Sequence, residues 1–449
     1  MAASGDDGRV ALARLIAGRG ARVAVIGLGY VGLPLLDAVA GAGFPAIGLD
    51  HDEAKIEMLR GGRSYLPHLG EGMAARLAGN ADVKLTSEPA RLGDADVVLI
   101  CVPTPLDGER RPDLSAVERA SEEIRAHAIE RDADRPRLIV LESTTYPGTT
   151  RDVVAPIVRG AGGGGAVFVA FSPEREDPGN KAHTTRTIPK LVGGVDEASG
   201  ALARALYSAV VREVVMCSSA EVAEGAKLVE NVYRSVNIAL VNELKIALSA
   251  MGLDVWEVLD AAATKPFGFQ RFDPGPGFGG HCVPIDPYYL ADAARRHGVE
   301  TRFIELAGEV NRAMPGYVVD RCADALASRQ QTLGGARVLV LGIAYKKNIA
   351  DVRESPAFEV IGLLRERGAE VSYHDPFVAA TRKMRRHDPG LTSVAWDAGT
   401  IAGFDCVVIV TDHDWYDWAF VGEHARLIVD TRHAMGRAGL DGGGKVFGA

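Results

Sequence analysis

One stretch of roughly 30 residues near the start constrains this chain more than any other. Arg22-Val23-Ala24-Val25-Ile26 is a short apolar run rich in β-branched residues. Gly27-Leu28-Gly29-Tyr30-Val31-Gly32 follows at once, and an apolar helical stretch continues to about Ala42. Ala46-Ile47-Gly48-Leu49-Asp50 then reads as a second strand ending in an acid. Strand, G-x-G-x-x-G, helix, strand, acid is the βαβ order of a dinucleotide site. Gly27 serves the tight turn, Gly29 lets backbone approach a pyrophosphate, and Gly32 lets helix and strand pack closely. Backbone N–H groups of Tyr30 and Val31 at the helix start supply donors and positive partial charge. Asp50 is placed to accept from ribose hydroxyls and to repel a 2′-phosphate, which favours NAD over NADP. The bland alternative for the same residues is a tight turn without a ligand.

The same stretch is apolar enough to imitate a membrane span, but Pro34, Asp37 and its glycines are punctuation that such a helix lacks. The first nine residues have two acids and no apolar core after a basic start, unlike a signal peptide. A length of 449 residues allows about three domains, or two large ones and a connector. The net charge of −9 argues against nucleic acid or an anionic membrane as partner. Five cysteines, an odd number with no C-x-x-C pair, do not form a disulfide framework, and a reducing cytoplasm fits best.

Ala95–Val102, Leu138–Leu141 and Val167–Phe171 read as further buried strands, so the first part is a doubly wound parallel sheet. From Ser219 to Met251 there is no proline and one glycine. Ser218 with Glu221 has capping-box spacing and Gly252 suits the C′ position. This predicts a helix of about 30 residues, roughly 45 Å long, joining two domains and packed against a second copy of itself. Asp254 with Glu257 starts another helix; 264–285 is a long Gly/Pro/aromatic segment of the kind that is usually functional. Strands at 337–342, 370–374, 406–410 and 426–429 make a second, smaller α/β domain. The expected architecture is α/β, two doubly wound Rossmann-like domains joined by a long central helix. Its divisions are 1–217 for the dinucleotide domain, 218–328 for the central helical region and 329–449 for the C-terminal domain.

Cys282 follows Gly277-Phe278-Gly279-Gly280-His281 and precedes a helix start at Asp286-Pro287. Glycines admit close approach, and a thiol just ahead of a helix N-terminus can have a lowered pKa. On spacing alone Cys282 reads either as a reactive thiol or as a packed one, and Asp286 either as a site carboxylate or as a plain N-cap. Lys227 and Asn231 are four apart on the long helix and share a face. They are either a surface pairing of Lys227 with Glu224 or Glu230, or an ammonium and an amide aimed into a cleft. Cys101, Cys217, Cys322 and Cys406 read as packing residues. The eleven histidines show no metal-ligand spacing, so no metal is expected. Asp412-His413-Asp414 reads as a loop cluster, and Arg382–Arg386 as a solvated helix face.

Together these residues resemble the UDP-glucose/GDP-mannose dehydrogenase family over about residues 20–440. The carriers are Gly27–Gly32 with Asp50, Val102-Pro103-Thr104-Pro105, Glu142-Ser143-Thr144, Ser172-Pro173-Glu174 and Lys227-x-x-x-Asn231. Gly279-Gly280-His281-Cys282-x-Pro284-x-Asp286 and Tyr345-Lys346-Lys347-Asn348 through Asp351-Val352-Arg353-Glu354-Ser355 complete them. The resemblance implies a cytoplasmic, NAD-dependent oxidation of the C6 alcohol of a nucleotide sugar to a carboxylate, with two NAD and one water. It implies that Lys227, Asp286 and water take the hydroxyl proton, and that Cys282 holds the aldehyde as a thiohemiacetal and then a thioester. Glu174 would assist the hydrolytic water, with Thr144 and Asp286 positioning it, while Lys227 and Asn231 stabilise charge on oxygen. Thr104, Thr144 and Arg353 would contact NAD. Gly279 and Lys346 would contact the UDP-sugar, as would Glu174, Lys227 and Asn231.

His281, Ile285, Thr264–Phe269, Pro274–Gly277 and Ser172–Asn180 are closer to the UDP-N-acetylglucosamine 6-dehydrogenase branch than to UDP-glucose enzymes. UDP-N-acetylglucosamine is therefore the expected substrate, for polysaccharide biosynthesis. UDP-glucose and UDP-N-acetylgalactosamine are the runners-up. Arg271 either touches sugar or phosphate across a dimer or lies in solvent. A single-hydride hydroxyacid dehydrogenase has no use for Cys282, and a non-catalytic nucleotide-sugar sensor would not need Cys282, Lys227 and Asp286 together. A homodimer or larger homo-oligomer is expected, with the active site in a cleft between the α/β domains.

Overall fold

The computed structural model describes residues 5–66, 69–160, 166–175, 186–280, 283–381, 390–440 and 442–449. Cys282, His281 and the basic run at 382–386 lie outside the described residues. The chain divides into two compact units, Met1–Glu230 with Tyr288–Glu300, and Asn231–Pro287 with Thr301–Ala449.

The first unit is built on an eight-stranded sheet. Its strands are β1 (Val23–Ile26), β2 (Ala46–Leu49), β3 (Val83–Thr86), β4 (Val97–Ile100), β5 (Arg137–Leu141), β6 (Val167–Phe171), β7 (Lys190–Gly194) and β8 (Val214–Met216). The order is β3-β2-β1-β4-β5-β6-β7-β8. All pairings are parallel except β6 with β7. Val25, Leu99 and Val140 pack into one core and Ile26, Ile100 and Ile139 into another on the opposite face. Complete burial of such side chains contributes roughly 1.5–3 kcal/mol each, which is why these runs read as continuous apolar strands. β3 and β8 are partly exposed, and β8 has only three residues, so their patterns are weak.

The second unit carries β9 (Arg337–Leu341), β10 (Glu370–His374), β11 (Cys406–Ile409), β12 (Ile428–Asp430) and β13 (Val446–Gly448). All are parallel in the order β10-β9-β11-β12-β13. β12 starts two residues later than its sequence pattern indicates.

The long helix spans Ala220–Ala250, 31 residues. Its cap differs from expectation by one position, because Ser219 Oγ, not Ser218, accepts from Val222 N. Gly252 at φ +76° ends it as expected. Two helices had no clear sequence signal, Gly5–Ala17 and Arg302–Ala327, the latter with Pro315 inside it. No helix among the described residues is long and apolar enough to cross a membrane.

Candidate active site

The glycine turn after β1 separates structural from ligand-facing glycines. Gly27 has φ +88°, and a Cβ there would lie 2.6 Å from the Cys101 carbonyl oxygen. A Cβ on Gly32 would overlap the Gly27 carbonyl oxygen. Gly29 has no such reason, since a Cβ there would meet nothing within 4 Å. The helix Gly32–Gly41 begins at Val31 with no side chain capping it. A bare turn with open space at Gly29 and helix N–H groups not taken by a side-chain cap fits a pyrophosphate. Asp50 Oδ2 accepts from Leu28 N at 2.9 Å, Oδ1 accepts from Asp52 N at 3.0 Å, and Lys55 Nζ lies 3.3 Å away. The acid therefore also clamps the turn. Thr104, after β4, is buried.

Thr144 is half-buried just beyond β5. Its neighbour Ser143 donates to the Val102 carbonyl at 2.7 Å, tying the two motifs after β4 and β5. Glu174 lies just beyond β6. Its Oε1 accepts from Arg175 N at 2.6 Å, and its Oε2 is 3.4 Å from Lys190 Nζ.

Lys227 is buried, and the surface-pair alternative fails because both candidate partners are engaged elsewhere. Glu224 accepts from Gly148 N at 2.6 Å, Thr150 N at 2.8 Å and Thr150 Oγ1 at 2.6 Å. Glu230 pairs with Arg175 at 2.6 Å. Burial raises the Glu224 carboxyl to about 7, with the hydroxyl and amides of the 148–150 turn opposing the rise.

In the second unit, Asn231 Nδ2 donates to Asp286 Oδ2 at 2.5 Å. Asp286 is 1% exposed and is itself the first residue of the helix Asp286–Arg296, so it does more than cap it. The loop before Cys282 packs on the C-terminal motif. Gly280 N donates to the Arg353 carbonyl at 3.1 Å. A Cβ on Gly279 would lie 2.7 Å from both Glu354 O and Tyr345 Cβ. Arg353 is ion-paired to Asp351 at 2.7 Å. Arg271 is exposed, as the solvent alternative has it, and is ion-paired there to Asp260 and Asp273, the latter at 2.8 Å.

Lys346 is half-buried in a loop that sequence reasoning left without supports. Asp375, at the end of β10, accepts from Ile343 N at 2.7 Å and Ala344 N at 3.2 Å. His413 Nδ1 accepts from Asn348 N at 2.8 Å, so its proton sits on Nε2, 3.1 Å from Asp375 Oδ2. The 412–414 cluster thus braces the Lys346 loop, with Asp414 holding Lys347 and Asn348. Burial would raise the Asp375 carboxyl, but His413 and the amides outweigh it and hold it low. The missed signal was an acid just after the second strand of a β-α-β unit, the same signal read at Asp50. Among the described residues no cluster of His, Cys, Asp and Glu could hold a metal.

Two doubly wound sheets and a glycine turn fitted to a pyrophosphate define a dinucleotide-dependent enzyme, with Lys227 and Glu174 in the first unit and Asn231 and Asp286 in the second. The profiles of the UDP-glucose/GDP-mannose dehydrogenase family match three consecutive stretches. The NAD binding domain matches residues 21–211, the central domain 221–313 and the UDP binding domain 339–437. UDP-N-acetyl-D-glucosamine 6-dehydrogenase of Pseudomonas aeruginosa is 35% identical over 87% of this chain and 90% of its own. UDP-N-acetyl-D-mannosamine dehydrogenase of Methanocaldococcus jannaschii is 34% identical over 94% of each chain. The solved structure of a UDP-glucose dehydrogenase from Pyrobaculum islandicum superposes with a TM-score of 0.83 at 29% identity, over 94% of this chain and 96% of that one. The chain belongs to the UDP-glucose/GDP-mannose dehydrogenase family, NAD-dependent oxidoreductases that act on UDP-sugars.

Proposed function

We propose that this chain oxidises C6 of UDP-N-acetylglucosamine to the uronate, in the cytoplasm, through a thioester on Cys282. The observation that carries the site is the buried Asn231–Asp286 hydrogen bond at 2.5 Å, at the start of the helix that follows Cys282 in sequence. A charged donor–acceptor geometry of this kind fixes a carboxylate where a proton must be taken. NAD would be held by the Gly29–Gly32 turn and Asp50, with Thr104, Thr144 and Arg353 as further contacts, and when bound it accepts a hydride from C6 at each oxidation. The chain's own residues do the rest. Asp286, through Lys227 and water, receives the C6 hydroxyl proton. The Lys227 ammonium, which neither Glu224 nor Glu230 engages, and the Asn231 amide steady negative charge on the C6 oxygen. Cys282 captures the aldehyde so that it is not lost between oxidations. Glu174 assists the water that ends the cycle. Gly279, Lys346 and Arg271 are assigned to the UDP-sugar.

The sugar assignment rests on the His281/Ile285 and Thr264–Phe269 sequence together with the 35% identical Pseudomonas relative. UDP-N-acetylmannosamine is a second reading, favoured by the 34% identical Methanocaldococcus relative. Steady-state kcat/KM for these two, UDP-glucose, UDP-N-acetylgalactosamine and GDP-mannose decides between them. UDP-N-acetylglucosamine is expected to lead by at least about ten-fold, ~1.4 kcal/mol in the transition state. A lead for any other sugar contradicts the assignment. We also assign the exposed stripe Val222, Val229, Tyr233, Leu240 and Leu244 of the long helix to a second copy of this chain.

A further inference from the structure

We propose that Lys190, backed by Glu142 and Tyr207, is a positioning residue that orients the Glu174 carboxylate for hydrolysis of the enzyme–sugar thioester. The proposal rests on the reading of Glu174 given above.

Topology puts these groups together. β7 is the strand that runs antiparallel to its neighbour, with Phe171 paired to Gly193 and Ala170 to Gly194. Its first residue, Lys190, therefore lies beside the chain leaving the carboxyl end of β6, where Glu174 sits, rather than at the far edge of the sheet. Glu142 leaves the carboxyl end of β5, the next strand over. The Lys190 ammonium is 2.5 Å from Glu142 Oε2 and 3.4 Å from Glu174 Oε2. Tyr207, from the helix Glu197–Tyr207, donates to the other Glu142 oxygen.

Burial decides what the arrangement can do. The side chains of Glu142 and Lys190 are 0% and 5% exposed, and that of Glu174 is 12% exposed. Burial would pull the Lys190 ammonium down, but Glu142 and then Glu174 outweigh it, so it stays protonated. One cation is thus shared between a fully buried carboxylate, Glu142, and a slightly exposed one, Glu174, so Lys190 tethers Glu174 to the buried pair. With Arg175 N on Oε1 and Lys190 toward Oε2, both Glu174 oxygens are constrained. In the hydrolytic step the water oxygen bonds to C6, the C6–S bond breaks, the thiolate leaves and Glu174 takes the water proton. Losing Lys190 removes the cation that holds Glu174 Oε2 and leaves the Glu142 and Glu174 carboxylates facing each other without it.

The test is Lys190→Met in the full-length enzyme with UDP-N-acetylglucosamine and excess NAD. The first turnover should still release a burst of NADH at a rate within about two-fold of wild type, since both oxidations precede hydrolysis. Steady-state kcat should fall at least about ten-fold at pH 7 with the burst preserved, and Lys190→Arg should restore most of the loss. If Lys190→Met does not fold, Lys190→Met/Glu142→Gln removes the orphaned buried charge and should keep the preserved burst with the lowered steady-state kcat. A steady-state kcat within about two-fold of wild type in a folded variant, or a loss that falls equally on the burst, overturns the proposal. A wild-type enzyme that forms no NADH from any UDP-sugar would instead remove the reading of the site itself.

Discussion

At the scale of single residues, the glycine turn makes its three glycines experimentally separable. A Cβ on Gly32 collides with the Gly27 carbonyl, so Gly32→Ala should cost about 1–3 kcal/mol of stability, read as a lowered Tm. A Cβ on Gly29 meets nothing in the chain, so Gly29→Ala should leave Tm within about 1 °C of wild type while weakening NAD binding about ten-fold, measured by titration. Equal NAD affinity in Gly29→Ala would remove the pyrophosphate from that turn. Lys245 offers a second test. It lies on the long helix, buried, with no hydrogen-bond partner for its Nζ among the described residues. Burial lowers its pKa to about 7 from 10.5, with Asp430 opposing the drop. The folded state then binds fewer protons than the unfolded chain between about pH 7 and 10.5, so this group makes stability rise with pH across that window. Lys245→Met should be more stable than wild type at pH 7 by about 1–4 kcal/mol, and the gap should narrow by pH 9. Thermal unfolding at the two pH values checks this; a constant gap contradicts it.

Among the elements, the long helix makes the clearest claim. Five of its exposed apolar residues, at 222, 229, 233, 240 and 244, alternate steps of seven and four, an 11-residue spacing that keeps them on one stripe of the helix. Light scattering at micromolar concentration should therefore find a dimer or larger assembly, and Val229→Asp with Leu240→Asp should dissociate it; a monomeric wild type contradicts a stripe covered by a second copy. Elements were legible in the sequence where burial is complete. β1, β2, β4, β5, β6 and β9 announce themselves as unbroken apolar runs because both faces are covered. β3 and β8 do not, because part of each is exposed and the apolar run is short. The helix Arg302–Ala327 was hidden by Pro315, which reads as a breaker in sequence but is tolerated in the packed helix. Ser218 and Ser219 are both chemically competent caps, and local spacing could not rank them.

For the molecule as a whole, the two sheets repeat one device. In each, a glycine with positive φ ends the first strand, Gly27 in one and Gly342 in the other, and an acid at the end of the next strand binds the amide that follows. Asp50 was legible because a glycine motif flags it, whereas Asp375 was not, because its turn lacks that motif. The same contrast runs through the site. Lys227, Asn231, Asp286 and Glu174 stand in recognisable short motifs. Lys190 reaches Glu142 and Glu174 because β7 is antiparallel to β6, a fact of topology that no local pattern carries. The central claim is that one site takes four electrons from one alcohol, with Cys282 as the covalent link. The most direct measurement is NADH formed per molecule of limiting UDP-N-acetylglucosamine in excess NAD, for wild type and Cys282→Ser. The account predicts two NADH per sugar for wild type and failure of the complete double oxidation in the variant. One NADH per sugar in wild type, or an unimpaired two in Cys282→Ser, would contradict it.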